Sequence, residues 1–588
     1  MNIRAFFFSL LIVLAFASGS CRKNESVTPE ISIPDTLSIT EGTLQQYKAI
    51  IPVTLSTATD KQVSFAWSTA DVTALAGSDY MAVNGAVIVF NPGEISKNIE
   101  VYVYSDSIFE TDETFYVTLS NVQNAKFASY RTIVTIKNDD VFDTTPVRSD
   151  ISVWLTKPDK SELLRKQNGS LIFTATANQN PTIIIDTTVT YQEMDGFGFA
   201  LTGGSASLIN SLTATTRDEL LRELFLKDEN SIGISYLRVS IGASDLSASV
   251  FSYDDMPIGQ TDVNLNNFNL GPDKVDLIPV LKSILLLNPK IKILASPWSP
   301  PLWMKSNKNA VGGSLLPEYY NVYAQYFVRY ITEMKSEGIP IDAITIQNEP
   351  ENPNNTPSMV MLATEQRDFI KNSLGPAFTA AGLSTKIILF DHNCDHPQYA
   401  ITILSDPDAA KYVDGTGFHL YAGDISALST VHNAYPEKNI YFTEQWVGGP
   451  SNFGGDMQWH LQNVIIGATR NWSKNVIEWN LASDPSYDPH TNGGCSNCEG
   501  ALTISSGYTR NVSYYIIAHA SKFVPAGSVR IKSNLPANLP NVAFKTPDGR
   551  KIMIVLNNSN AVQSFNIGFK GLTAATSLSS GSVATYVW

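Results

Sequence analysis

The chain changes its hydrophobic rhythm twice. From about Ile31 to Asp140, apolar and polar residues alternate over short runs: "VSFAWSTA", "AVIVF", "NIEVYVY", "ETFYVTLS" and "RTIVTIKNDD". Period-two runs of this length, split by turn residues, predict the strands of a small sandwich. Beyond a Pro-, Thr- and Asp-containing stretch, "DISVWLTKPDKSELLRKQ" and "PTIIIDTTVTYQEMDGFG" predict further strands without helices. From Ala206 to about Lys522 strand and helix patterns alternate. Strands are predicted at "SYLRVS" (235–240), "KILAS" (292–296), "AITIQ" (343–347), "KIILF" (386–390), "GFHLY" (417–421), "IYFTE" (440–444) and "VIEWN" (476–480), with "DGFGFA" (195–200) in front. Between them, "RDELLRELFL", "DLIPVLKSILLL", "PEYYNVYAQYFVRYITEMKSEG" and "MQWHLQNVIIGATRNW" carry the helical period. Eight such units in just over 300 residues have the size of a TIM barrel. From Arg530 to Trp588 the pattern is β again, so a segment before the barrel and one after it can pair into a side sandwich.

The expected fold is therefore multidomain: an all-β N-terminal sandwich, then a (β/α)8 TIM barrel fused to a β-sandwich side domain built from segments before and after it. The boundaries expected are 1–20 for a signal peptide, 21–30 for a lipidated tether, 31–140 for the sandwich and 141–150 for a linker. The side domain takes 151–192 and 523–588, and the barrel 193–522. A chain of 588 residues is in any case too long for one core.

The first residues change the picture of where the chain works. Arg4 gives a short positive region, and Ala5 to Ala17 is a 13-residue apolar run, too short for a membrane span. It ends at Ser18-Gly19-Ser20-Cys21, which resembles a bacterial lipoprotein cleavage site with Cys21 lipidated, although Ser18 stands where an aliphatic residue is usual. The alternative is a plain secretory signal with an incidental Cys. The expectation is an exported chain, lipid-anchored at the bacterial cell envelope on the outer membrane, touching the membrane through that anchor alone. The net charge of −14 argues against nucleic acid and anionic membrane surfaces as ligands, since both are held by basic patches.

Three cysteines remain, Cys394, Cys495 and Cys498, too few for a disulfide framework. Cys495-Ser-Asn-Cys498 reads as a small loop disulfide, a free pair or half of a metal site, and no second CxxC exists to complete a zinc site.

The chemistry lies at strand tips. "AITIQNEPENPNN" (343–355) begins as a strand and stops on two amides and a carboxylate before proline ends the ladder. In a TIM barrel, functional groups stand at the C-terminal ends of strands, which puts Glu349 just past the fourth. Glu444 closes the seventh, 95 residues on, or three units of about 32. Two carboxyls facing each other across a barrel mouth suit glycosidic bond cleavage, with one donating a proton and the other attacking the anomeric carbon. The competing reading is two ordinary rim acids in salt bridges. Aromatic residues at other strand ends weigh against it: Trp298 and Trp303 after the third, His419 and Tyr421 on the sixth, Tyr441 and Trp446 beside Glu444, Trp479 with Asn480 on the eighth. Singly each fits core packing; together they describe flat faces and hydrogen-bonding groups for a sugar. Asn348 can reach a hydroxyl beside the reaction centre. The 24 Tyr and 9 Trp supply many such faces.

Two resemblances add to this reading. Residues 31–140 resemble a Calx-β domain through "AGSDY" (76–80), "FNPGE" (90–94), "DSIFETDETFYVTLS" (106–120) and "TIKNDD" (135–140). That resemblance implies candidate Ca2+ ligands among the loop-end acids, here Glu41, Asp106, Glu110, Asp139 and Asp140, with Asp79 and Asp112 nearby in the pattern. The alternative is that they are turn acids and caps. Residues from about 150 to 588 resemble glycoside hydrolase family 30, which includes glucosylceramidases, β-1,6-glucanases and β-xylosidases. The motifs are "DGFGFALTGGSA" (195–206), "YLRVSIGASDLSASVFSYDD" (236–255), "SPWSPPLWMK" (296–305), "TIQNEP" (345–350), "FHLY" (418–421), "YFTEQW" (441–446) and "EWNLA" (478–482), in family order.

The second resemblance implies a retaining mechanism with Glu349 as acid/base and Glu444 as nucleophile, and no cofactor for catalysis. It implies that Trp298, Asn348, Trp479 and Asn480 line the sugar subsite and that His419 and Tyr421 flank the nucleophile. One departure is informative. Glucosylceramidases carry Asp where Gly203 follows Thr202 here, and losing that carboxylate removes a charge-assisted hydrogen bond to a terminal glucose. The expectation is an opened subsite through which a chain continues from the sugar's O6, favouring β-1,6-glucan as substrate. The alternatives are an exo-acting β-glucosidase or glucosylceramidase-like enzyme, and a non-catalytic surface glycan-binding lipoprotein. In "FDHNCDHPQ" (390–398), Asp391 and His392 are expected to line the sugar site. A structural loop, or a transition metal on His392, Cys394 and His396, are the other readings.

Overall fold

The computed structural model describes residues 28–42, 47–105, 110–139, 149–176 and 178–588. The signal segment, Cys21, Asp106 and Asp140 lie outside the described residues. The chain divides into two compact units, Met1–Pro146 and Val147–Trp588. Among the described residues no helix is long and apolar enough to cross a membrane.

The first unit is a two-sheet sandwich. One sheet has four strands, with Tyr47–Leu55 between Ser96–Val103 and Glu30–Ser32; the other has five, with Glu113–Gln123 between Arg131–Lys137 and Val63–Asp71. The alternation read from sequence does the work. In Tyr47–Leu55, Ala49, Ile51, Val53 and Leu55 are buried, and the residues between them are exposed. They meet Phe65, Trp67, Phe115 and Val117 from the facing sheet in one core.

The second unit holds a closed eight-stranded parallel barrel. Its strands are β1 (Gly196–Ala200), β2 (Tyr236–Ser240), β3 (Lys292–Ser296), β4 (Ala343–Thr345), β5 (Lys386–Cys394), β6 (Val413–Gly423), β7 (Asn439–Glu444) and β8 (Ser473–Asn480). β8 pairs with β1 to close the ring, Gly196 opposite Asn475. Helices cover the outside. Tyr320–Ser336 buries Tyr323, Tyr326, Phe327, Tyr330, Ile331 and Met334, an apolar stripe at helical spacing. Inside, Tyr236, Leu294, Ala343, Ile388, Tyr441 and Ile477 form a plug. Side chains on a strand return to the same face every second residue. The inward positions two residues further along β2, β3, β4 and β7 are therefore Arg238, Ser296, Thr345 and Thr443, all fully buried. The barrel changes from apolar to polar in that one step.

The segments flanking the barrel combine as expected. A nine-stranded sheet takes Ser152–Thr156, Arg165–Lys166 and Thr182–Glu193 from before it and six strands from Val529–Ser533 to Val583–Val587 after it, with Ser152 opposite Val587 and Ile185 opposite Ser533. Ile183, Ile185, Val555, Phe565 and Tyr586 form its own core.

Candidate active site

The polar layer above the plug is organised around two buried charges. Asp391 Oδ2 accepts hydrogen bonds from Arg238 Nη2 at 2.8 Å, Ser296 Oγ at 2.9 Å and Thr345 Oγ1 at 2.7 Å. Its Oδ1 accepts from Thr443 Oγ1 at 2.6 Å and lies 3.1 Å from His419 Nε2. Burial alone would raise this carboxyl; the Arg238 charge and the His419 contacts outweigh it and hold Asp391 far below the usual carboxylate range. This corrects the expectation that Asp391 lines the sugar site. With five partners and no exposure it is saturated beneath the floor, where it fixes Arg238 and His419.

Arg238 then reaches upward. Nη1 donates to Glu444 Oε2 at 2.5 Å, and Nη2 donates also to Asn348 Oδ1 at 2.7 Å. Its guanidinium lies 4.8 Å from the Trp298 ring and 5.7 Å from the Trp479 ring, which stack on each other at 5.2 Å. Glu444 Oε1 accepts from Tyr421 Oη at 2.8 Å. His419 Nδ1 stands between the two glutamates, 3.2 Å from Glu349 Oε1 and 3.6 Å from Glu444 Oε1. Glu349 Oε2 accepts from Asn352 Nδ2 at 2.8 Å.

The backbone is bent to present these groups. Glu349 has φ 47° and Asp391 φ 64°, left-handed values that non-glycine residues rarely adopt, and Glu349 N donates to Asp391 O at 3.0 Å. Such strain persists where surrounding contacts over-determine it, and it clusters at functional sites.

Burial works against the imidazolium of His419, but Glu444, Asp391 and Glu349 push it up to about 10, so it is protonated at neutral pH. Burial raises Glu349, yet the hydrogen bond and charge of His419, with His392 and Asn352, bring it below its ordinary value. Glu444 is raised, first by burial and then by Glu349, against His419 and Arg238. His419 thus stands between two carboxyls that it stabilises in their charged form.

A cavity of about 480 Å3 opens above this network. Glu349 and Glu444 are in its wall with four of the expected sugar contacts, Trp298, Tyr421, Trp446 and Trp479. The other expected contacts are spent elsewhere. His419 is fully buried beneath the cavity. Asn348 gives its carbonyl to Arg238. Asn480 Oδ1 accepts from Ser205 Oγ at 2.8 Å and Thr202 Oγ1 at 3.3 Å, and its Nδ2 donates to Cys498 O at 3.4 Å, so it ties helix Gly203–Ser211 to the rim. Trp303 donates to Asp254 O, and Tyr441 belongs to the plug.

The cavity also holds residues that the strand-tip argument does not reach: Asp245, Asn352, Asn355, Asn393 and the Cys495–Cys498 disulfide. All but Asn393, near the end of β5, and Cys498, which opens a two-residue strand, come from loops. The disulfide resolves the open readings of that pair. The space beside Gly203 is taken by Ser247, whose Oγ would lie 3.2 Å from an added Cβ, and the carboxylate that does line the cavity there comes from Asp245. Gly203 therefore does not open the subsite by itself, and the argument for β-1,6-glucan drawn from it falls.

The metal reading of "FDHNCDHPQ" also fails on geometry. His396 Nδ1 lies 2.8 Å from Glu351 and Cys394 is buried. The group brought together is instead Glu349, His392 and His419, with ligand atoms within 4.8 Å. The protonated His419 has both ring nitrogens turned to carboxylates and no lone pair for a metal.

Comparison with known proteins places these features in a family. Residues 194–524 match the glycosyl hydrolase family 30 TIM-barrel domain, 527–586 the family 30 beta sandwich domain, and 35–140 the Calx-beta domain. An endo-1,6-beta-D-glucanase of Neurospora crassa is 37% identical over 387 residues, 62% of this chain and 79% of that protein. The lysosomal acid glucosylceramidase of Mus musculus is 30% identical over 429 residues, 68% and 81% of the two chains. Among solved structures, the endo-beta1,6-glucanase BT3312 aligns with a TM-score of 0.70 at 35% identity, covering 75% of this chain and 99% of that one.

Proposed function

The chain belongs to glycosyl hydrolase family 30, and on that premise we propose that it is a retaining endo-β-1,6-glucanase. The observation that carries the reading is the placement of Glu349 and Glu444 on the tips of β4 and β7, in the wall of one cavity and against one imidazole nitrogen. Two carboxyls against one nitrogen suit direct attack, for which a separation of about 5–5.5 Å is usual, rather than the wider gap that admits a water. The preference for β-1,6-glucan rests on the relatives at 35–37% identity that carry that activity.

Glu444 is the nucleophile. Arg238 and Tyr421 each hold one of its oxygens and favour the carboxylate that attacks the anomeric carbon. Glu349 is the acid/base. Protonated, it gives its proton to the departing glycosidic oxygen, and it then recovers one from the water that releases the sugar, while His419 Nδ1, 3.2 Å away, orients it. Trp298 and Trp479 offer the sugar an aromatic wall backed by the Arg238 charge.

The segment ahead of residue 28 is read as an export signal with Cys21 as lipid anchor, which holds the enzyme at the cell envelope. Calcium in the N-terminal domain has a specific observation in its favour. Asp79, Glu110 and Glu113 bring ligand oxygens within 4.8 Å of one another. Burial, then Asp79, Glu110 and Glu41, push Glu113 up to about 7, because like charges crowd its carboxyl. Those residues would hold a hard ion that neutralises the cluster. Of the acids singled out from sequence, Asp79 and Glu110 are in that group; Asp139 instead caps Gly42 N at 2.8 Å.

The test is the product profile on linear β-1,6-glucan, with Glu444→Gln as blank. Short β-1,6-oligosaccharides released early support the endo reading. Glucose alone, with an aryl β-glucoside also cleaved, would move the assignment to an exo-glucosidase.

A further inference from the structure

A second opening lies in the sheet built from the segments that flank the barrel. It holds about 530 Å3, more than the catalytic cavity. Its floor is apolar, with Val153 and Leu155 partly exposed to it. Its rim is polar, with Gln167, Asn180 and Ser577. Not one residue that lines it is charged, in a chain where 16% of residues are.

Two sets of hydrogen-bonding groups meet there without partners. Tyr586 lines the opening and is fully buried, and its Oη, beside Thr576, has no hydrogen-bond partner. An unpaired buried hydroxyl costs about 1–3 kcal/mol, and a ligand that completes it is one reason for it to persist. The second set is backbone. Leu572–Leu578 is the last strand of the sheet. Thr573 turns its N–H and C=O away from Gln563–Phe569 and exchanges both with Thr174. In an antiparallel ladder that direction repeats every second residue, so Ala575 and Ser577 present theirs on the same edge. Both line the opening, and no strand follows them in the sheet. Open edges are ordinarily guarded by charge or proline. This one, "LTAATSL", carries neither.

The lining selects the class of ligand. A phosphate or an acidic peptide would need a cation, and a basic ligand an acid. A purely apolar ligand would leave Tyr586 Oη and the strand edge unpaired. A neutral polyhydroxyl chain answers both needs. The C–H faces of its rings can lie on Val153 and Leu155, and its hydroxyls both donate and accept. On the reading above, the enzyme's substrate is such a chain.

We propose that this opening is a second glucan-binding site, which holds a length of the polysaccharide outside the catalytic cavity. The site is argued from its own lining; that its glucan is β-1,6-linked rests on the glucanase reading. Two sites on one molecule engage a long chain together, and the second contact becomes intramolecular. A short substrate that only fills the catalytic cavity gains nothing from it.

The test is hydrogen exchange on the full chain carrying Glu444→Gln, so that glucan is not digested. Long linear β-1,6-glucan should slow amide exchange across Leu572–Leu578 about threefold or more, as bound backbone groups are protected. An aryl β-gentiobioside should not. No slowing by the long glucan overturns the proposal, and a groove made for an extended peptide gives that result. A second measurement uses Ser577→Arg, which puts bulk and charge at an exposed edge position. The ratio of KM on long glucan to KM on the aryl gentiobioside should rise about fivefold, because the linked contact is lost. An unchanged ratio overturns the proposal. Should Ser577→Arg fail to fold, the exchange measurement decides. A wild type inert on β-1,6-glucan would sink the glucanase reading itself. Slowing by a β-1,3- or β-1,4-glucan would then still support the second site, and no slowing by any of the three would overturn it.

Discussion

Arg238 Nη1 donates to Glu444 Oε2 at 2.5 Å, and both side chains are buried. The same guanidinium binds Asp391, so one cation holds a reacting carboxylate and a purely internal one. Removing it strands two buried charges. Arg238→Leu should lose about 3–5 kcal/mol of stability in urea unfolding and all measurable activity. Arg238→Lys keeps the charge but not the fork, so it should fold and lose about 10²-fold in kcat. A stable, active Arg238→Leu would contradict the network.

The roles of the two glutamates can be separated by product stereochemistry. Glu349→Ala should lose about 10²–10⁴-fold in kcat. With azide and an aryl substrate it should yield the β-glycosyl azide, because the intermediate on Glu444 still forms. Glu444→Ala with azide should yield the α anomer. NMR of the products checks this, and swapped anomers would reverse the assignment.

The pH dependence of stability follows from the same cluster. Asp391 is depressed in the fold, so its contribution is present above the unfolded value of about 3.9 and is lost as the pH falls through the folded one. His419 is raised to about 10, so its contribution is complete below about 6.5 and is lost as the pH rises through 10. Wild-type Tm should fall between pH 6.5 and 10, and His419→Gln should flatten that slope. Parallel curves for the two proteins would remove His419 as the cause.

Reducing the Cys495–Cys498 bond should affect binding more than folding. The loop spans three positions, so its closure contributes about 2 kcal/mol at most by chain entropy. It seats Asp245 through Cys495 N–H and holds Asn480 through Cys498 O. Cys495→Ser should raise KM several-fold with kcat nearly unchanged. Equal falls in both constants would place the loop's role in the chemistry instead.

Calcium should stabilise the N-terminal domain in the intact chain. After chelation, added Ca2+ should raise the unfolding temperature of one transition, and Glu113→Gln should weaken that response. No shift with millimolar Ca2+ would leave Asp79, Glu110 and Glu113 as a plain acidic surface.

Much of this was legible in the sequence because barrel strands are short and their tips are fixed by period. Glu349 and Glu444 could be placed on β4 and β7 by counting. Arg238 was missed although it left a signal: a lone charge inside "YLRVS", a strand that must be buried on both faces, demands a partner. Asp391 was placed on the rim because β5 was expected to end at Phe390. It runs on to Cys394 through left-handed residues, and that turn drops the carboxylate inward. Asn480 looked free because nothing in "EWNLA" shows that Thr202 and Ser205 claim it. Asp245 lies in a loop whose conformation depends on a second loop some 250 residues on, and no local pattern encodes that.

The sheet that joins Ser152 to Val587 has a topological consequence. The catalytic unit starts and finishes on neighbouring strands, so the whole barrel is a single excursion from one clasp. A short peptide from Trp588 back to Asp150, with new ends cut in an exposed helix connection, should yield a circular permutant with the same cavity. Partners fused at either end would swing from one point, and evolution can exchange them without rethreading a single barrel strand.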